Sequence, residues 1–117
     1  MGMDVHGKSG NYFHNNIHYW HPLATYIEEV APQIASHNPY WHSNDGGGLN
    51  STDSLALADK LQEEIDSGRC HEYADLRPPD PVEWADGKTT RFARLFSVAN
   101  VQNFVHFLRE SEGFWIS

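Results

Sequence analysis

Between His42 and Asn50 the chain runs His-Ser-Asn-Asp-Gly-Gly-Gly-Leu-Asn. Its side chains offer an imidazole, a hydroxyl, amides and a carboxylate. Its glycines let the backbone approach a ligand or take φ > 0. His42, Ser43 and Asp45 are the residue types of a hydrolase triad. Triad members converge from separated segments, however, because immediate neighbours point in different directions. No G-x-S-x-G elbow is present, and the stretch matches neither a Walker A loop nor a Rossmann fingerprint. Binding is therefore expected ahead of catalysis. The amides of Gly46–Gly48, just before a helix, could meet an anion. Alternatively, Asn44 and Asp45 fold back on their own backbone as Asx-turns. Trp20, Tyr40 and Trp41 lie near in sequence and carry faces on which a sugar or nucleotide base could stack, although aromatics are also ordinary core residues. The expected ligand set is His42, Ser43, Asn44, Asp45, Gly46 and Trp20, joined by Asn15 and Asn16 if the N-terminal segment folds across the loop.

Two other groups carry chemistry-bearing residue types. His14, His18 and His21 stand at i, i+4 and i+7 and on one helix would share a metal-binding face. Asn15-Asn16 and Pro22 instead start the helix after His21, so no metal or other cofactor is expected. Only a version that includes His42 would support a metal-assisted hydrolase, the third of three functional readings. Cys70 beside His71 lies in no cysteine-protease signature and reads as a buried or incidental thiol.

The elements that must position these residues follow from periodicity. Met3 and Val5 alternate with Asp4 and His6 as a half-buried strand. Gly7-Lys8-Ser9-Gly10 is a turn, and Tyr12-Phe13 begins a return strand. Pro22 suits the first position of a helix. Leu23, Ile27, Val30 and Ile34 make its stripe, and Pro32 ends it near Ala31. Residues 37–50 hold no period and read as loop. A second helix starts at Asn50 or Ser51, with Leu57, Ala58, Leu61 and Ile65 inward and Gly68 as its stop. His71–Leu76 adds a helical turn, Arg77–Pro81 is extended, and Ala85–Lys88 is a turn. Arg91–Phe96 is a short strand or an irregular approach to the last helix. Ser97 caps that helix, whose Val98, Val101, Val105 and Leu108 make it the most apolar and the most central. Phe114-Trp115-Ile116 reads as a terminal strand able to pair with Met3–Val5. The expected fold is α+β: about three helices around one core, with a small sheet from the N- and C-terminal segments, in a single domain over 1–117.

At 117 residues the chain supports one core. Its formal charge is −8. Between Asp59 and Asp86 nine acids stand against three bases, so direct nucleic-acid binding is not expected. An acidic face over 59–86 that docks on a basic host protein is the alternative functional reading, beside the plainer one of a solvated face. No apolar run approaches the ~20 residues of a membrane span, and the single cysteine fits a cytoplasmic protein.

Several segments resemble one family. These are Met1–Lys8, Tyr12–Asn16, Trp20–Leu23, Ala31-Pro32, His42–Gly46, Phe96–Val101 and Gly113–Ile116. Together they resemble a family of small bacteriophage and bacterial proteins with no assigned activity, over most of the chain except about residues 68–92. The resemblance implies a small accessory protein of a phage or prokaryote, acting in the host cytoplasm if phage-encoded. There, binding a small molecule could sequester a host signalling nucleotide and counter host defence. Some relatives carry paired cysteines in the segment matching 70–90, which here holds only Cys70. Relatives also place Arg and Trp where this chain has His14, His18 and His21.

Overall fold

The computed structural model describes residues 2–43, 45–83, 87 and 90–117. It is α+β, built from β1 (Gly2–Gly7), β2 (Tyr12–Asn16), α1 (Ile17–Val30), α2 (Pro32–Ala35), β3 (Gly48–Asn50), α3 (Ser51–Asp66), α4 (Arg69–Leu76), β4 (Asp80–Glu83), β5 (Thr90–Ala93), α5 (Val98–Ser111) and β6 (Gly113–Ile116). The main sheet has the order β2-β1-β6-β3, antiparallel throughout, and β4 pairs with β5. The two chain ends pair as expected, Val5 facing Ile116. The expected turn at Ala85–Lys88 lies, apart from Gly87, outside the described residues.

Local chemistry sets the ends of the helices. Asn50 Oδ1 accepts from the Asp53 N–H at 2.8 Å and Ser97 Oγ from the Asn100 N–H at 3.1 Å, so both expected caps are in place. Gly68 follows α3 in the left-handed region at φ +85° and at once begins α4, a full helix in place of the single expected turn. The described residues thus hold five helices rather than about three.

Two further expectations are corrected. Helix α1 begins at Ile17, not at Pro22, because Asn16 Oδ1 accepts from the His18 N–H at 2.8 Å and starts it a turn and a half earlier. Pro22 is therefore inside the helix, where it denies the His18 carbonyl its usual i+4 donor. The segment 37–50 is not all loop, since Gly48–Asn50 pairs with β6 as an edge strand. Three glycines and polar neighbours give no period-2 pattern, so this strand has no hydrophobic signature. A Cβ at residue 48 would overlap the Phe114 carbonyl, so only glycine allows this approach.

The helices cover one face of the sheet. Trp20, Leu23, Ile27, Leu57, Leu61, Val101, Phe104, Val105 and Leu108 are buried against Met3, Val5, Phe114 and Ile116. Phe104, on the central α5, meets Trp20 edge-on at 5.7 Å and Phe13 at 5.1 Å. No helix of the described residues is long and apolar enough to cross a membrane.

Candidate functional site

The expected ligand set does not assemble. Trp20 is fully buried and its indole N–H donates to the Trp41 carbonyl at 2.6 Å, so it offers no face to a ligand. Trp41 is buried too, leaving Tyr40 as the one exposed ring of the three. Asn15 exchanges amide hydrogen bonds with Asn100 at 3.1 and 2.9 Å. Asn16 is spent on capping α1. The Gly46 N–H donates to the Ile116 carbonyl at 2.8 Å, so that amide is committed to the sheet rather than to an anion, while Gly48 stands opposite Trp115 in the β3–β6 register. Ser43 Oγ is buried with no hydrogen-bond partner among the described residues. Asp45 is exposed, and Asn44 lies outside the described residues.

His42 alone of the set reaches a cluster. Its Nε2 lies 2.6 Å from Glu28 Oε1 and its Nδ1 lies 2.7 Å from His21 Nδ1. The two imidazole planes are 22° apart with centroids at 4.9 Å. Rings that meet through so short an N···N contact are joined edge to edge, so this is an in-plane hydrogen bond rather than a face stack. A carboxylate only accepts, so a neutral His42 carries its proton on Nε2 and leaves Nδ1 as the acceptor. His21 then donates from Nδ1 and keeps a lone pair on Nε2. The Glu28–His42 pair is well solvated, each side chain more than 40% exposed, and contributes at most about 1 kcal/mol of stability. Its effect is to fix a tautomer.

That tautomer matters because His21 lines a groove. Helical spacing brings Ile17, His18, His21, Pro22 and Thr25 onto one face of α1. Facing them are Arg77 at the end of α4, Asp80 and Pro81 of β4, and Leu95. The groove holds about 290 Å³, close to the lower end of ligand pockets, roughly 300 Å³. Ile17, Pro22, Pro81 and Leu95 make apolar walls, and His18, His21, Thr25, Arg77 and Asp80 supply polar groups. Arg77 Nη1 donates to the Tyr73 hydroxyl at 3.2 Å and Nη2 to Asp80 at 3.2 Å. Its Nε is buried with no partner among the described residues.

Burial, with His42 and His18 adding to it, pushes the His21 imidazole below its ordinary value of 6.5. The unfolded chain then takes up this proton first. His21 costs no stability above pH 6.5 and destabilises the fold progressively as pH falls from there through its lowered value. In an NMR titration His21 should titrate below 6.5. The stability lost between about pH 7 and pH 5 should be smaller in His21→Ala.

The remaining candidates separate. His14 is on β2, not on a helix with His18 and His21, and its Nδ1 contacts Asp4 at 2.9 Å. Among the described residues no three of His, Cys, Asp or Glu converge as a metal-ligand set. Cys70 is fully buried and burial pushes its thiol up, which makes it a poor nucleophile. Glu28, Thr25, Arg77 and Asp80 were not singled out from the sequence. The spacing of His21 and Thr25 on α1 was a usable signal, but nothing local joins them to a proline-rich segment half the chain away. No family model, curated protein or solved structure matches this chain.

Proposed function

We propose that the chain is a small-molecule binding module whose ligand, of nucleotide- or sugar-like type, sits in the groove between α1 and the α4–β4 segment. One observation carries this reading. His18, His21, Thr25, Arg77 and Asp80 converge over apolar walls, and His21 is held in one tautomer by His42 and Glu28. Apolar walls with a few oriented polar groups and a perturbed histidine are the usual make-up of a ligand site. The site thus moves from the glycine loop to the groove, and His42 is what connects them. Thermal unfolding against a panel of nucleotides and sugars tests it. A ligand at 100 times its Kd adds about 2.7 kcal/mol, a rise of roughly 10 °C in a domain of this size.

A second reading is an acidic inhibitor of a basic host protein. Asp59, Gln62, Glu63, Asp66, Ser67 and Arg109 line a shallow depression of about 500 Å³ that favours it. Charge reversal at Glu63 and Asp66 should then abolish capture of the partner without loss of fold.

A further inference from the structure

The sheet face turned away from the helices carries a row of rings. Strand register sets Tyr12 opposite His6, His6 opposite Trp115, and Trp115 opposite Gly48. Residues directly opposed across antiparallel strands share a face, so the row crosses all four strands. Met3, Val5, Phe114 and Ile116 point the other way into the core, while Tyr12 is 56% and Trp115 42% exposed. His6 stacks on one face of the Trp115 indole, centroids 5.3 Å apart and planes 23° apart. The other face looks over the edge strand, where Gly48 has no side chain. Because residue 48 must be glycine to approach Phe114, its position adds no side chain over that indole face. At the far end of the row His6 meets Tyr12 at 5.5 Å. The Tyr12 hydroxyl donates to the Asp4 carboxylate, which also contacts His14 Nδ1.

We propose that this row binds a neutral oligosaccharide. The face of Trp115 above Gly48 takes the C–H face of one sugar ring. The chain then crosses the row toward Tyr12, where Asp4 accepts from its hydroxyls. Charge separates sugar from nucleotide. None of the outward residues of the four strands (Gly2, Asp4, His6, Tyr12, His14, Asn16, Gly48, Asn50, Gly113, Trp115) is Lys or Arg, one is a carboxylate, and the whole chain carries −8. A phosphate would find no Lys or Arg among these strand residues, Lys8 standing just past the end of β1, whereas hydroxyls find an oriented acceptor. The proposal does not depend on the groove.

The test is titration with cellohexaose, chitohexaose, maltohexaose and ATP, followed by tryptophan fluorescence and calorimetry. At least one hexasaccharide should bind saturably. Trp115→Ala should weaken it by about tenfold or more, in line with the loss of a stacked ring, and leave the thermal midpoint near that of the natural chain. Tyr12→Ala should weaken it by a smaller factor. His21→Ala and Arg77→Ala, in the groove, should leave it unchanged. The proposal is overturned if no hexasaccharide binds, if binding survives Trp115→Ala, or if ATP alone binds in a Trp115-dependent way. A dimer in sedimentation that Trp115→Ala dissociates would also overturn it, by giving the face to a second copy.

Discussion

Trp41→Ala should lower unfolding stability by about 3–5 kcal/mol, the range for removing a buried large aromatic. Trp41 is 2% exposed, with its ring centroid 5.9 Å from that of Phe114 and 6.4 Å from that of Trp20. Its indole N–H donates to the Ala35 carbonyl at 3.0 Å, and its own carbonyl accepts from Trp20 at 2.6 Å. These bonds hold the residue just before His42. Small domains have about 5–15 kcal/mol in all, so the loss is a large fraction of the total, and urea unfolding followed by circular dichroism measures it. The substitution should also free His42 from His21, visible as a changed nitrogen shift of the His21 ring. Trp41→Phe, which keeps a ring and loses the N–H, should fall between the two.

Glu64→Lys should cost about as much, roughly 3–5 kcal/mol, for an electrostatic reason. Glu64 belongs to the acidic stretch that the sequence suggests as a docking face, yet its side chain is only 8% exposed. Arg69 Nε donates to it at 2.7 Å, and Lys60 Nζ lies 3.2 Å away. The Arg69 hydrogen bond is the main cause holding its carboxyl below the ordinary value, with Lys60 adding to it. A lysine there would put three cations together at the edge of the core. Glu63→Lys, one residue earlier and 63% exposed, should change stability by less than about 0.5 kcal/mol. Because the folded-state value of Glu64 is lowered, its stabilising contribution is full above pH 4.5 and is lost as pH falls through the lowered value. Denaturant midpoints of the two variants across pH separate these effects. Charge-reversal tests of an acidic interface must therefore leave Glu64 intact.

Much of the fold was legible because it rests on local rules. Asn50 and Ser97 were readable as caps, and the stripes of Leu57, Ala58 and Leu61 and of Val101, Val105 and Leu108 are buried as their spacing requires. The pairing of the chain ends followed from alternation at Met3 and Val5. The start of α1 was misplaced because Pro22 fits a first helical position better than an interior one, and the cap at Asn16 outweighs that preference. Strand β3 was hidden because its pairing rests on the absence of a side chain at Gly48. At the site, His42 was legible and its partners were not. Glu28 falls off the apolar stripe of α1, and Arg77 opens an extended proline segment. Trp20 shows the opposite error, an aromatic near a polar loop whose ring belongs to the core.

The central claim is that the groove holding His21 and Arg77, rather than the glycine loop, is where a small molecule binds. The most direct measurement is the ligand-induced rise in thermal midpoint, taken for the natural chain, His21→Ala, Arg77→Ala and Asp45→Ala with the nucleotides of that panel, which the sheet face is not expected to hold. The rise should vanish in the His21 and Arg77 variants, each compared with its own ligand-free midpoint, and persist in Asp45→Ala. A rise that survives both groove substitutions, or is lost only with Asp45, would contradict the account.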